Sequence, residues 1–351
     1  MAAVEQLIAL YVNADERLRA LVQSLEDGNV SKRRKEQLLR QIEAIIAELT
    51  GKAGQQMAGV VGEEYRAGAA AAVEQMVAAG LSFESINQTL KAIVHQGAAQ
   101  AIMDEAFYSI LEASDNMSAD VKKRIEEVAR AANAKSLAEG MSRREATRQA
   151  VADLNSRGIT GIIAKNGARI PVDAYMSGVV HYHQRKAHVT GTENMAAQND
   201  MDLVYVNAVG ITCEYCAKYQ GRVYSISGKD ERFPKLEQKP PYHSHCVHSL
   251  SVWVEEYTPA DEVERMITAS NRPFTDNRTE RYKLRYEQLQ REKSRKNETR
   301  KQWMRYKAAM PDAPDLKTFA SMKARNTQAY RELQEDYRKI IANVKGDDAI
   351  G

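Results

Sequence analysis

The sequence predicts an α+β fold that is mostly α, with a helical N-terminal arm, a small α/β core and a long helical C-terminal tail. Three observations carry this. No proline occurs before Pro171, and proline is excluded from helix interiors because it lacks an N–H and clashes with the preceding turn. Apolar residues in that first half recur at steps of three and four, the helical period. Runs of β-type residues are confined to a central stretch of about 100 residues, flanked on both sides by shifts in composition. The expected division is 1–157 helical, 158–257 mixed α/β core, and 258–351 basic helical tail.

Val4, Leu7, Ile8 and Tyr11, then Leu18, Leu21, Val22 and Leu25, share one helical face. Gly28 is the expected end of that helix. Leu38, Leu39, Ile42, Ile45, Ile46 and Leu49 form a second stripe that Gly51 is expected to close, giving an αα-hairpin. Residues 51–80 are rich in Gly and Ala, which permits close approach to a neighbouring helix. Ser82 is a candidate N-cap for a helix through Ile86, Leu90, Ile93 and Val94 toward Phe107 and Ile110. His95 stands alone on it and has a structural role. A further helix is expected from Ala119 to Ala138, ended by Gly140. Ser142-Arg143-Arg144-Glu145 matches a capping box and opens a helix to about Leu154.

The character changes at Gly158. Two short β-type runs flank Asn166-Gly167, a pair that tolerates the positive φ angles of a hairpin turn. A helix follows from Asp173 to about Asn199, carrying His181, His183 and His188 as polar-surface or hydrogen-bonding residues. Strands are expected over Leu203–Val209, Arg222–Ile226 and His248–Val254. Thr258-Pro259 opens the tail as N-cap and first helical residue. A long polar helix covers 276–309, Pro311 and Pro314 interrupt it, and a last amphipathic helix runs from Leu316 to Val344.

The chain has 351 residues, a 43% hydrophobic share, 28% charged residues, 7% aromatics and a net charge of +3. That suits exposed helix better than a compact sandwich, and the charge is too small to name a partner. Three cysteines do not make a secreted disulfide framework. No apolar run approaches bilayer length, and the acidic start lacks the basic region of a signal peptide. No phosphate-cradling P-loop and no Ser or Cys triad signature is present, and a deaminase would require its Cys-x-x-Cys after, not before, the histidine.

The chemistry concentrates between Thr212 and His248, which holds Cys213, Cys216 and Cys246 with His243, His245 and His248. Cys213-x-x-Cys216 lets two thiolates point the same way from a tight turn. His243-x-x-Cys246 repeats that step after 26 intervening residues. Two such knuckles can close a tetrahedral Cys₃His zinc site, so zinc is the expected cofactor, in a structural role. Its ligands would be Cys213, Cys216, His243 and Cys246, with His245 and His248 in reserve. A reduced thiol cluster with nothing bound and a Cys213–Cys216 disulfide also satisfy the spacing. Three thiolates and a histidine fill the shell and weaken the metal's Lewis acidity, whereas a catalytic zinc needs an open position. The carboxylates nearby in sequence are Glu214, Asp230, Glu231 and Glu237. The expectation is a protein that is not an enzyme.

From Arg278 to Lys307 there are twelve Lys or Arg against four Glu, a local net of +8. Arg291, Arg295, Lys296, Arg300 and Lys301 are the candidate contacts to nucleic acid or to an acidic protein surface. Tyr282, Tyr286, Trp303 and Tyr306 are interleaved, at a spacing that fits packing against another helix.

The run from the Asn-Gly hairpin to Tyr219–Gly228 (YQGRVYSISG), together with Pro240–His248 (PPYHSHCVH), resembles the phage minor capsid protein 2 family. That family is related to the Mu F-type head morphogenesis proteins of tailed phages. The ending is similar to the family's P-P-x-H-x-x-C-R-H signature, with Val247 where arginine is usual. The resemblance covers about residues 145–257, and the Cys-x-x-Cys pair occurs in only part of the broader group. It implies a low-copy virion protein near the portal vertex, with roles in head assembly and in genome packaging or ejection. The implied partners are the portal protein, the major capsid or scaffold protein and packaged DNA, with no membrane, in the host cytoplasm during assembly. The alternative is a zinc-containing nucleic-acid-binding or nuclease-like protein.

Overall fold

A computed structural model describes residues 2–26, 31–138, 141–156, 162–163, 169–276, 278–310 and 312–346. The expected helix ends at Gly28 and Gly140, the break at Gly158, the Asn166-Gly167 turn and Pro311 lie outside the described residues. The elements in order are α1 (Ala2–Gln23), α2 (Lys32–Ala79), α3 (Ile93–Ala138), α4 (Arg143–Ser156), β1 (Ile162–Ile163), β2 (Arg169–Ile170), α5 (Val172–Gln198) and β3 (Leu203–Val206). They continue with α6 (Glu214–Ala217), β4 (Val223–Ser225), β5 (Leu250–Val252), α7 (Ala260–Asn271), α8 (Glu280–Ala309), α9 (Leu316–Arg325) and α10 (Gln328–Gly346). The protein is therefore α+β and mostly α, as its periodicity predicts.

Helix lengths differ from the sequence reading in four places. Gly51 does not end α2, which runs on to Ala79. A glycine inside a helix costs only about 1 kcal/mol, and the stripe continues through buried Ala53, Met57, Val60 and Val61. The termination comes at Gly80, whose φ of +126° is open to glycine alone. There the amides of Gly80 and Leu81 bond the Val77 and Met76 carbonyls, closing a Schellman-type end.

Ser82 caps only a single 3-10 turn over Phe83–Ser85, and its side chain makes no capping bond. Residues 87–91 are drawn out of helix by side chains of α5. Gln198 Nε2 donates to the carbonyls of Asn87 and Thr89, at 2.8 and 3.1 Å. Asn199 Oδ1 accepts from the Asn87 amide at 2.6 Å. The helix starts at Ile93 and continues unbroken through the separate element expected from Ala119. Near the other end of the chain, the single helix expected over 316–344 is two. Asn326 turns left-handed at φ +46°, which asparagine tolerates better than most residues, and Thr327 Oγ1 then accepts from the Tyr330 amide at 3.2 Å to start α10. Pro259 rather than Thr258 is the N-cap of α7. The capping-box bond at Ser142 is present, with its hydroxyl accepting from the Glu145 amide at 3.2 Å.

Two compact units are each assembled from three stretches. The first comprises Met1–Leu7, Ala53–Ile110 and Met176–Gln290, and the second Ile8–Lys52, Leu111–Tyr175 and Arg291–Gly351.

In the first unit α2 and α5 cross at backbone distance. A Cβ built at Gly68 would stand 1.9 Å from the His188 carbonyl oxygen, and one at Gly191 would stand 2.2 Å from that of Tyr65. Both lie far inside van der Waals contact, so each glycine is a steric requirement. Thr192 Oγ1 donates to the Gly68 carbonyl across the crossing at 3.0 Å. Beside it, Asn194 donates to the Tyr65 hydroxyl (2.8 Å), which bonds His95 Nδ1 (3.0 Å), whose Nε2 faces Gln198 Oε1 (2.9 Å). His95 is thus structural, as expected. Of the α5 histidines, His181 is exposed, His188 approaches Glu64 at 3.5 Å, and His183 is buried against the Ser109 hydroxyl.

A three-stranded antiparallel sheet, ordered β4-β3-β5, packs on this helix pair. Val204 pairs with Tyr224 on one side and Val252 on the other. Ala69, Ala72 and Met76 of α2, Met195 and Ala196 of α5, and Val252 and Val254 form one buried cluster. Gln75 Oε1 accepts from the Val252 amide at 2.8 Å, occupying part of the open edge of β5. Phe233 and the partly buried Met266 and Ile267 of α7 cover the other face around Leu203 and Val223.

The second unit buries Tyr306, Phe319 and Tyr330 from α8, α9 and α10, with Trp303, Met322 and Tyr337 against them. Tyr306 and Tyr337 stack at 4.2 Å, and Trp303 Nε1 donates to the Pro314 carbonyl at 2.9 Å. The two tail aromatics Trp303 and Tyr306 are therefore helix-packing residues. α10 also lies against α4, and β1 pairs with β2 as expected, Ile162 opposite Ile170.

The crossing makes a differential prediction. Gly191→Ala should destabilise the protein by about 3 kcal/mol or more, because backbone atoms must move to admit the methyl. Gly59→Ala, on the same α2 with nothing within 4 Å of the added carbon, should stabilise by roughly 0.5–1 kcal/mol through helix propensity. Urea unfolding of the two variants measures both, and equal effects would refute the close crossing.

Candidate metal centre

The Cys/His stretch is suspended between the ends of the sheet. β3 ends at Val206 and leads to Cys213, and β5 begins at Leu250 just after His248. Cys213 is the N-cap of the one-turn α6, with its sulfur accepting from the Cys216 amide at 3.3 Å. This bond turns both sulfurs to the same side. The second half is another tight turn, closed by the Cys246 amide donating to the His243 carbonyl at 3.0 Å.

The two turns face each other. His243 Nε2 lies 3.5 Å from Cys213 Sγ and 3.2 Å from Cys216 Sγ. Cys216 Sγ lies 4.0 Å from Cys246 Sγ, which is 3.5 Å from His248 Nδ1. The donors form two triads that share Cys216: Cys213–Cys216–His243, and the fully buried Cys216–Cys246–His248. In a tetrahedral zinc site with bonds of about 2.3 Å to sulfur and 2.0–2.1 Å to nitrogen, neighbouring ligand atoms stand roughly 3.4–3.8 Å apart. Within each triad the observed separations bracket that range, but Cys213 and His243 do not both come within 4.8 Å of Cys246, so the four predicted ligands do not form one set; all three cysteines are unbridged thiols. The donor set fits a borderline-soft cation such as zinc, and no disulfide joins Cys213 to Cys216.

The electrostatics point the same way. Cys216, paired with the Cys246 sulfur and buried, is pushed far up from the ordinary thiol range. Cys246, sharing that contact and facing His248, is pulled far down toward thiolate.

Supporting groups come from residues that spacing did not single out. Gln220 Oε1 faces His248 Nε2 at 2.9 Å and accepts from the Val209 amide at 3.0 Å, so the histidine presents Nδ1 to Cys246. This is the arrangement by which outer groups orient a metal-binding imidazole. Tyr219 and Tyr242 stack at 4.5 Å and lock the first turn to the second. Tyr215 and Tyr219 both donate to Gln238 Oε1, at 2.8 and 2.7 Å. Tyr219 and Gln220 open the Tyr-Gln-Gly motif, which was the available signal.

Of the two reserve histidines, His248 joins the cluster. His245 belongs to neither triad; it is exposed, and its Nε2 comes within 3.7 Å of a Cβ built at Gly178 of α5. Val247 is exposed. No carboxylate joins either triad among the described residues; Asp230 is engaged by Arg232 at 2.7 Å.

The basic helix α8 divides its charges. Arg278, just before it, donates to the Thr212 carbonyl at 3.0 Å and pairs with Asp276 at 2.8 Å, bracing the Cys/His loop. Arg300 pairs with Asp173, Lys301 with Glu298 at 3.0 Å, and Arg291 is also engaged. Arg295 and Lys296 are exposed and have no carboxylate partner among the described residues.

Fold and site together define a mostly helical protein whose small sheet carries a cluster of cysteines and histidines. The family model for phage minor capsid protein 2 matches residues 33–339, and the chain belongs to that family. The match extends well beyond the 145–257 that its motifs mark and takes in most of both helical flanks. It supports a minor capsid role in the virion. No curated protein and no solved structure matches the chain. No helix among the described residues is long and apolar enough to cross a membrane.

The aromatic clamp yields a prediction. The Tyr242 hydroxyl is buried without a partner among the described residues. Tyr242→Phe should therefore be neutral or stabilising, whereas Tyr242→Ala should cost about 3–5 kcal/mol as for other large aromatic truncations. Thermal unfolding of both variants tests this.

Proposed function

We propose that this chain is a structural, low-copy component of the phage head that associates with the portal vertex and acts in head assembly and in genome packaging or ejection. The observation that carries this reading is the family match over 33–339. The closed Cys/His cluster supports a structural rather than a catalytic role, because three thiolates and an imidazole leave a metal no open position and little Lewis acidity. Assembly would take place in the host cytoplasm, with portal, major capsid or scaffold protein as partners. Cross-linking mass spectrometry on intact heads tests it. Cross-links from this chain should concentrate on the portal, at a copy number far below that of the major capsid protein. Cross-links spread evenly over the shell, or absence from purified heads, would overturn it.

The cluster would hold one structural zinc, with Cys213, Cys216 and Cys246 as thiolate ligands and His243 as the fourth. His248 is the alternative histidine, favoured by its burial and by the Gln220 bond. Elemental analysis of protein purified without added metal should give about one zinc per chain. Cys216→Ser, which touches both triads, should abolish retention and open residues 210–254 to proteases, since metal binding and loop folding are one equilibrium. Comparing His243→Ala with His248→Ala identifies the histidine. A metal-free protein of undiminished thermal stability would exclude the site. The alternative, a zinc-containing nucleic-acid-binding or nuclease-like protein, predicts metal-dependent DNA cleavage or a DNA affinity lost with the zinc.

A further inference from the structure

The tail of the second unit contains a surface that neither the metal cluster nor the family description uses. Between α8 and α9 lies an open groove of about 980 Å³, bounded by Ser294–Arg300 on one side and by Leu316–Ala324 on the other. Its chemistry is divided. Leu316, Ala320 and Ala324 lie at four-residue steps and line the α9 wall with one apolar stripe. This stripe is distinct from the face that carries buried Phe319 and Met322 into the core. α9 thus has two apolar faces, of which one is covered. The small side chains of Ala320 and Ala324 leave room for large ones to enter.

The rim is cationic. Arg295 and Lys296 stand on the α8 side and Lys317 and Lys323 on the α9 side. Among the described residues, none of the four side chains pairs with a carboxylate. The one acid on the lining, Glu298, is matched by Lys301 at 3.0 Å, and the fifth cation, Arg300, is matched by Asp173. Four cations therefore face one slot with no internal counter-charge. In a folded chain carrying 47 acids, such a grouping points to an external one.

We propose that this groove is the docking site for a short amphipathic helix of a partner protein, with an apolar stripe flanked by Asp or Glu. The α9 wall from Leu316 to Ala324 spans about 12–13 Å at 1.5 Å per residue, enough for two turns of a bound helix. The apolar stripe would seat the partner's large side chains, and the rim would pair with its flanking acids, the usual division in helix-in-groove recognition. The same cations attract polyanions in general, but the groove selects against nucleic acid. Its floor is alkyl, and the aromatics of α8 that could stack on bases near it, Trp303 and Tyr306, are committed to packing inside the unit. The proposal requires no particular head protein as partner and stands apart from the portal reading.

The test uses the full-length chain and four fluorescent probes in anisotropy titrations. These are a 16-residue helix with a leucine stripe flanked by glutamates, its twin with lysine for glutamate, its twin with serine for leucine, and a 20-base-pair DNA duplex. The glutamate–leucine helix should bind at least tenfold more tightly than either twin. It should weaken as salt rises from 50 to 300 mM, because the rim charges are exposed and screened. The joint replacement Arg295→Gln, Lys296→Gln, Lys317→Gln and Lys323→Gln should lower its affinity at least tenfold. Ala324→Glu, at an exposed position that puts like charge in the slot, should do the same without changing Tm. Equal binding of the lysine or serine twin overturns the proposal, as does undiminished binding by Ala324→Glu or no binding at 50 mM salt. Tighter binding of the duplex, lost on the same four replacements, overturns it in favour of a nucleic-acid surface.

Discussion

The structure of the first unit depends on the approach of two backbones. Where α2 and α5 cross, Gly68 and Gly191 let each helix lie against a carbonyl of the other, closer than any side chain permits. Everything that carries the Cys/His loop is referred to that crossing. α5 leads directly into β3, while α2 supplies the alanine and methionine surface on which the sheet rests and the Gln75 side chain that holds β5. A shift of the crossing by the width of a methyl group would move the sheet's support and its hydrogen bond together. Packed interiors respond to such a change by rearranging rather than by yielding smoothly.

The crossing also explains how long polar side chains come to govern backbone conformation. Gln198 and Asn199, at the end of α5, reach segment 87–91 because the helices are so close. Their amides supply the hydrogen bonds that the segment would otherwise find by becoming helix. The neutral chain of partners from Asn194 through Tyr65 and His95 to Gln198 is buried along the same seam. A half-satisfied network there would be costly, so it fixes the register of the two helices as well as their distance.

The Cys/His loop solves a different problem. A three-stranded sheet of very short strands cannot hold some 40 residues of connecting chain by backbone pairing alone. The loop is instead pinned by converging sulfur and imidazole groups, by the Tyr219–Tyr242 stack, and by Arg278 reaching back to Thr212. Arg278 belongs by position to the basic stretch, yet its charge serves the loop. The net charge of a segment therefore overstates what it offers to a partner. On α8, pairing removes Arg300 and Lys301 and leaves Arg295 and Lys296 facing the groove.

The sequence by itself determined the fold class, the helices whose apolar stripes are long, the capping bond at Ser142, the order of strands along the chain and the pairing of the two cysteine knuckles. These are local: each depends on residues within a few positions of one another, and spacing reports them. The need for small residues on α2 was legible too, though not the helix they admit. Only the tertiary structure decided that α2 passes through Gly51, that α3 starts at Ile93 and is one helix, and that Asn326 divides the last helix. It alone separated His248, which joins the cluster, from His245, which does not, although they stand two and one positions from Cys246. The reason is physical. A glycine, an asparagine or a histidine carries several allowed states at nearly equal local energy, and packing selects among them: Gln198 and Asn199 hold residues 87–91 out of helix, and Gln220 orients His248.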